Sequence, residues 1–145
     1  MPTVDLFADP IQSGRQQLGP ATWLLRGFAQ PWMDTLLTEL RLIEAAAPFR
    51  HMLTPGGLRM SVAQDKDECD FSAPIVSISL GLPAVFQFGG MRRADKPERV
   101  ALLHGDVLVW GGEDRLRYHG VLALKDGQHP LLGAQRINLT FRRAG

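Results

Sequence analysis

The sequence predicts a single, mainly β domain with one flanking helix, arranged as an antiparallel sandwich or jelly roll. The chain has 145 residues, the size of one domain. Hydrophobic residues make up 45% of it and charged residues 21%, ordinary proportions that argue against disorder and coiled coils. From residue 73 onward, short stretches with an apolar residue at every second position alternate with turn-forming residues, a pattern typical of a sandwich or barrel.

Charge and cysteine content exclude several classes of function. Lys and Arg number 16 and Asp and Glu 15, so the net charge of +1 gives no general attraction for nucleic acid or an anionic membrane, and any such contact must be local. The single cysteine excludes an intrachain disulfide and suits a reducing cytoplasm. No apolar run approaches the roughly 20 residues that cross a bilayer. We expect a soluble, cytoplasmic protein with no membrane partner and no obligate protein partner.

The N-terminal half predicts one strand and one helix. Residues 1–20 are rich in Pro and Gly breakers and predict an irregular lead-in, whereas the short apolar stretch 21–28 predicts a strand. Pro31 suits a first helical turn and Pro48 ends the helix. The apolar residues between them recur at three- and four-residue steps, which predicts a stripe that packs on the core. They are Trp32, Met33, Leu36, Leu37, Leu40, Ile43 and Ala47.

The C-terminal half predicts six short strands. Their apolar residues alternate with small or polar ones, as in strands with two unlike faces. A basic loop, residues 91–97, follows the second of them, and Gly111-Gly112 predicts a turn after the fourth. The predicted strands are 75–80, 84–88, 99–103, 107–110, 118–122 and 136–141.

The last predicted strand has two chemically different faces. Ile137, Leu139 and Phe141 alternate with the polar residues Arg136, Asn138, Thr140 and Arg142. The polar face suits either a sheet edge in water or a row of groups that bind an anion, because guanidinium groups bind carboxylates with two hydrogen bonds. The two arginines lie roughly 20 Å apart along a strand, so they cannot hold one carboxylate together. A small diacid could engage both only if the sheet curves strongly.

His119 and the acidic run 65–68 are the other candidates for chemistry. A single histidine in a strand suits a surface or packing position, and an acidic run suits a solvated turn. Imidazole and carboxylate groups are also suitable ligands for iron. The residues alone leave both interpretations open.

Several motifs together resemble the AlkB family of iron(II)- and 2-oxoglutarate-dependent dioxygenases. They are Gln64-Asp65-Lys66-Asp67-Glu68, Leu80-Gly81-Leu82-Pro83, His104-Gly105-Asp106-Val107, Trp110-Gly111-Gly112, Tyr118-His119-Gly120 and Arg136-x-Asn138-x-Thr140-Phe141-Arg142. The resemblance implies a double-stranded β-helix that oxidatively dealkylates bases in single- or double-stranded DNA, or in RNA. It covers nearly the whole chain.

The resemblance also implies roles for individual residues. Asp65 and His119 would bind iron(II), while Arg136, Asn138 and Arg142 would bind 2-oxoglutarate. Asp67 would contact the damaged base, and Arg93 in the basic loop would face the DNA backbone. The roles of Asp65, Asp67, Arg93 and His119 rest on the resemblance alone.

The sequence departs from the family pattern at one place. The His-x-Asp pair that holds iron should place a histidine at position 63, but this residue is Ala63. The nucleotide-recognition lid and the first jelly-roll strand, with its Asn-Arg-Tyr motif, are also missing between residues 63 and 64. His51, His104 and His129 lie outside the motif. We therefore predict one domain, 1–145, with an internal deletion, weak binding of iron and 2-oxoglutarate, and impaired activity. The alternatives are an inactive jelly-roll binding domain and a deletion product with an open strand edge.

Overall fold

The computed structural model describes residues 14–47 and 73–143. Eight strands and one α-helix form within these ranges, and no helix there is long and apolar enough to cross a membrane. The elements are β1 (Arg15–Gly19), β2 (Thr22–Leu25), α1 (Met33–Ala46), β3 (Ile75–Gly81), β4 (Ala84–Phe88), β5 (Glu98–Leu102), β6 (Val107–Trp110), β7 (His119–Val121) and β8 (Arg136–Phe141).

The strands form two antiparallel sheets, which confirms the predicted fold class. The larger sheet has the order β1-β2-β6-β3-β8 and the smaller sheet the order β5-β4-β7. Apolar residues from both sheets pack together in the main core, as in a sandwich. This core comprises Leu24, Ile75, Phe86, Phe88, Leu102, Leu108 and Trp110. Strands β7 and β8 are therefore edge strands, one in each sheet.

Helix α1 packs against the other face of the larger sheet. Met33 and Leu37 of the helix contact Leu80, Val107 and Ile137 in a second apolar cluster. The outward residues of β3 and β8 also lie on this cluster, as the alternation in the sequence predicts. The inward face of β3 is left to Ile75 and to two buried serines, Ser77 and Ser79.

The structure corrects three details of the sequence prediction. Strand β1 lies within the predicted irregular lead-in; its polar residues carry no apolar alternation, and it forms only because it pairs with β2. Part of the predicted apolar stripe is solvent-exposed, since Trp32 is 53% and Ile43 59% exposed. Residues Gln30–Trp32 and Gly112–Leu116 form 3-10 helices where the sequence predicts α-helix and a turn.

His104 closes the turn between β5 and β6 and contacts a second histidine. Its Nδ1 accepts a hydrogen bond of 2.9 Å from the Gly81 amide, and its ring centroid lies 4.4 Å from that of His129. Its Nε2 is buried without a hydrogen-bond partner. Burial, and secondarily the neighbouring His129, lower the pKa of His104. The folded protein therefore favours the neutral ring, because protonated Nδ1 could no longer accept the Gly81 amide.

We expect this histidine to make folding stability depend on pH. Its pKa is lower in the folded chain than the usual value of about 6.5, so the unfolded chain binds more protons in the interval between the two values. Its stabilising contribution is complete above about pH 6.5 and is lost as the pH falls toward the folded pKa. In His104→Asn, the amide oxygen can accept the Gly81 amide without titrating. Urea unfolding from pH 5 to 7.5 should show that the free energy of unfolding depends less on pH in this variant than in the unaltered chain. Equal pH dependence in the two chains would contradict the lowered pKa of His104.

Candidate active site

The candidate site residues within the described ranges lie on the two edge strands β7 and β8 and on the loop after β4. Arg136 and Asn138 belong to β8 and face the same side of the larger sheet as the inward serines of β3. His119 begins β7 and faces the main core between the sheets. Arg142 follows the end of β8 and is exposed. Both sheets thus direct candidate residues toward the space between them.

Arg136 is held at one end of its guanidinium group and unsatisfied at the other. Its Nη2 donates a hydrogen bond of 3.0 Å to Ser79 Oγ, while its Nε is buried without a hydrogen-bond partner. Burial lowers the pKa of Arg136, although an arginine in a protein stays protonated. A buried cationic donor without a partner is costly, and an anionic ligand would remove that cost. Arg136 therefore fits a carboxylate of 2-oxoglutarate.

Asn138 extends the same polar row toward the exposed end of the strand. Its Oδ1 accepts a hydrogen bond of 2.5 Å from Ser77 Oγ, and its Nδ2 donates one of 2.8 Å to Thr140 Oγ1. Antiparallel pairing places Ser79 opposite Asn138 and Ser77 opposite Thr140. The serines were not among the predicted site residues. The signal that could have found them is two hydroxyl groups at alternate positions of an otherwise apolar strand.

The hydrogen bond of His119 to the main chain leaves Nε2 as the ring atom that can bind a metal. Its Nδ1 lies 2.8 Å from the main-chain oxygen of Arg117, and a carbonyl oxygen only accepts hydrogen bonds, so Nδ1 carries the proton. The lone pair is then on Nε2, which is the usual arrangement of a metal-bound histidine. The rings of Trp110 and Phe86 lie 5.6 Å and 6.3 Å from the imidazole, centroid to centroid. His119 therefore fits the predicted role of an iron ligand.

The other positions of the predicted site lie outside the described residues. Asp65, Ala63 and Asp67 all belong to the range 48–72, so their predicted roles stay predictions. Residues 14–47 and 73–143 contain no cluster of three or more His, Cys, Asp or Glu side chains that could hold a metal. Of the two predicted iron ligands, these ranges contain His119.

Arg93 lies in the exposed loop between β4 and β5. Its guanidinium carbon is 5.0 Å from the ring centroid of Tyr118, the residue before His119. A cation over an aromatic face is weakly attracted to it and remains accessible. The position is compatible with the predicted contact to a nucleic-acid backbone.

Comparison with known proteins assigns this arrangement to a class. The family model described as "2OG-Fe(II) oxygenase superfamily" matches residues 29–142, which include helix α1, strands β3 to β8 and every candidate residue in the described part of the chain. The structure titled "The structure of OsALKBH1" resembles the fold with a TM-score of 0.50 and 24% identity, covering 90% of this chain and 85% of that one.

Proteins with similar sequences identify the family within this superfamily. The alpha-ketoglutarate-dependent dioxygenase AlkB of Salmonella typhimurium is 37% identical over 212 aligned positions, covering 97% of this chain and 98% of the relative. The AlkB protein of Escherichia coli is 63% identical over 89 residues, covering 61% of this chain and 41% of the relative. A DNA N(6)-methyladenine demethylase of Arabidopsis thaliana is 40% identical over 96 residues, covering 59% of this chain and 21% of the relative. The chain belongs to the AlkB family of the 2OG-Fe(II) oxygenase superfamily.

The lengths of these alignments bear on the predicted deletion. The Salmonella typhimurium alignment runs over 212 positions, whereas this chain has only 145 residues, so the alignment must contain gaps opposite that relative. The region that aligns with the Escherichia coli relative covers 41% of that relative's length. The placement of the deletion between residues 63 and 64 stays a prediction.

Proposed function

We propose that this chain is an AlkB-type domain for the oxidative dealkylation of bases in nucleic acids, and that its activity is impaired. The observation that carries the proposal is the half-buried Arg136, whose buried Nε lacks a partner and which faces the space between the sheets, as the preoriented His119 does from the other sheet. When bound, iron(II) and 2-oxoglutarate would supply, together with dioxygen as the oxidant, the chemistry that removes the alkyl group. The protein's part is to bind and orient both and to shield them within the sandwich.

The described residues divide these tasks between the two sheets. Arg136, supported by Ser79, would bind one carboxylate of 2-oxoglutarate, and Asn138 would contribute an amide beside it. Exposed Arg142, at the end of the strand, would bind the second carboxylate, which requires β8 to curve strongly because the two arginines lie roughly 20 Å apart along an extended strand. His119 would present Nε2 to iron, with Asp65 as the carboxylate ligand. Apolar rings of the main core line this face and would keep water from the bound groups.

The proposed impairment follows from the ligand set. Alanine offers iron no lone pair, so Ala63 leaves two protein ligands where the family uses two histidines and one carboxylate. The missing Asn-Arg-Tyr strand would also leave 2-oxoglutarate with fewer hydrogen bonds. Each lost hydrogen bond to a buried carboxylate costs on the order of 1–3 kcal/mol. An inactive binding domain is the second candidate, because the same vacancy could abolish turnover while Arg136 still binds the diacid.

The proposed substrate is an alkylated base in single- or double-stranded DNA. Alkylated RNA is the second proposed substrate. One relative is named for demethylation of DNA. In this chain, Arg93 would contact a phosphate locally, which the near-neutral net charge requires. Asp67 would contact the flipped base. We also propose a cytoplasmic location, in line with the single cysteine.

Calorimetric titration of 2-oxoglutarate in manganese(II) buffer tests the co-substrate site. We expect the unaltered chain to bind with a Kd weaker than about 10 μM, or roughly −7 kcal/mol. Arg136→Met removes the donors that face the carboxylate and should weaken binding by at least about tenfold, equivalent to about 1.4 kcal/mol. Arg99→Met, at an exposed position on β5, serves as the control and should bind as the unaltered chain does. Equal binding by Arg136→Met and the control would place the diacid elsewhere.

A further inference from the structure

The main-chain oxygen that fixes the tautomer of His119 belongs to Arg117, whose own side chain is tightly held. Its Nε donates a hydrogen bond of 2.7 Å to the Gly89 oxygen, and its guanidinium carbon lies 4.4 Å from the centroid of the Phe88 ring. Its amide donates to the main-chain oxygen of Asp114 at 3.1 Å. Residue 117 is thus fixed through its backbone and its side chain.

The end of β4 holds the next residue as well. The Gly89 amide donates to the Tyr118 oxygen at 2.7 Å, and the Tyr118 amide donates to the Gly90 oxygen at 2.9 Å. Gly89 therefore accepts from the Arg117 side chain and donates to the adjoining backbone. The Arg117–Tyr118 peptide contains both the Arg117 carbonyl and the Tyr118 amide, so it cannot rotate without breaking the bond to the Gly90 oxygen, and this sets the direction of the carbonyl.

A buried carboxylate connects this arrangement to the N-terminal hairpin. Asp114 Oδ2 accepts hydrogen bonds of 2.7 Å from the Ala21 amide and from Thr22 Oγ1, and Asp114 Oδ1 lies 3.3 Å from Arg117 Nη1. The hairpin turn packs directly on these groups, since a Cβ atom at Gly19 would lie 2.8 Å from Arg117 Nη1. A side chain at position 19 would therefore displace the guanidinium group.

The charges around Arg117 argue against a role in binding an anionic ligand. Glu113 and Asp114 line the same cleft as Arg117, together with Ala21 and Met91. Two carboxylates beside one guanidinium group leave the cleft without net positive charge. The hydrogen bonds of Arg117 instead lead inward, to the backbone that carries His119.

We propose that Arg117 is a positioning residue for His119: its clamped side chain fixes the carbonyl that accepts the Nδ1 proton and so directs the Nε2 lone pair into the inter-sheet space. Asp114 and the β1–β2 turn extend this support to the N-terminal hairpin. The role as iron ligand rests on the proposed function, but the orientation of the imidazole does not. Partners of this kind around a metal ligand typically change metal affinity by 10–100-fold.

The test measures the tautomer of His119 directly in the metal-free chain. Two-bond ¹H–¹⁵N correlation spectra distinguish a proton on Nδ1 from one on Nε2. We expect the Nδ1-protonated form to dominate in the unaltered chain and a mixture to appear in Arg117→Met, which keeps the side-chain length without its donors. Arg117→Lys retains a cation over Phe88 and one donor toward Gly89, so it should restore most of the original form.

Two further measurements make the outcome decisive. Arg15→Met removes another arginine that stacks on an aromatic ring, that of Trp23, and should leave the spectrum of His119 unchanged. Cobalt(II) affinity should fall by about tenfold or more in Arg117→Met and partly recover in Arg117→Lys. A folded Arg117→Met chain with the original tautomer would overturn the proposal. If Arg117→Met does not fold, Arg117→Lys takes its place in the test. An unchanged tautomer in a lysine variant that has lost the hydrogen bond to Gly89 would then also overturn the proposal. A 2-oxoglutarate affinity that does not depend on Arg136 would count against the proposed function and leave this result standing.

Discussion

Replacing Asp106 with alanine should destabilise the domain by about 3–5 kcal/mol, the usual cost of breaking a buried ion pair on one side. Asp106 is 3% exposed and accepts three hydrogen bonds, from Arg26 Nη1 at 2.6 Å and from the Gly27 and Leu103 amides at 2.9 Å each. The variant would leave the Gly27 and Leu103 amides without this acceptor, whereas Arg26 Nη1 would keep its hydrogen bond of 2.6 Å to the Ala101 oxygen. Single domains are stable by only about 5–15 kcal/mol, so this loss is large.

Urea unfolding of Asp106→Ala and Asp106→Asn measures the effect. The asparagine keeps one oxygen acceptor and should lose less stability than the alanine. Asp95→Ala is a matched control, because Asp95 is also a loop carboxylate that accepts a backbone amide, that of Arg92, but it is exposed. Its effect should stay within about 1 kcal/mol. A loss below about 1 kcal/mol in Asp106→Ala would show that the carboxylate does not secure the β2–β6 region.

Ala63→His should strengthen metal binding by on the order of tenfold or more. Changes around a metal ligand alter affinity by 10–100-fold, and a new ligand should matter at least as much. Imidazole is a better ligand for iron(II) and cobalt(II) than the water that would otherwise fill the position. Cobalt(II) titration followed by visible absorption measures the gain and reports the coordination geometry.

The gain should depend on His119 if both residues bind the same metal. Ala63→His added to a His119→Ala chain should therefore give a smaller gain than in the unaltered chain. Ala134→His introduces a histidine at an exposed position and controls for adventitious binding. Equal gains at positions 63 and 134 would show that the new histidine acts alone, and the assignment of position 63 would then be wrong.

Much of the fold could be predicted because β-strand alternation is a local property. The two faces of β8 are visible in the sequence, and the structure places Ile137 and Leu139 on the helix side and Arg136 toward the inward serines. What alternation could not decide was whether the polar face meets water or a cavity. The structure shows both, since Arg136 is half-buried and unsatisfied whereas Asn138 and Arg142 are exposed.

The features that the sequence did not predict depend on contacts between distant residues. Strand β1 owes its conformation to pairing with β2, and the tautomer of His119 follows from an oxygen whose direction is set by Gly89 and Asp114. Ser79 becomes a site residue only because antiparallel pairing of β3 and β8 brings its hydroxyl to Arg136. Residue type and local spacing can mark the inward serines as unusual, but they do not show which distant residues any of these groups contact.

The most direct test of the account is turnover by the unaltered chain on an N-methylated oligonucleotide, with iron(II) and 2-oxoglutarate at saturating concentrations. Succinate and formaldehyde are measured together, so that oxidation coupled to dealkylation is separated from uncoupled decay. Because Ala63 stands in place of a histidine ligand, we expect both products near the level of a protein-free reaction. We also expect a weak affinity for 2-oxoglutarate that depends on Arg136. Many coupled turnovers per chain would contradict the account, because another group would then be completing the iron site.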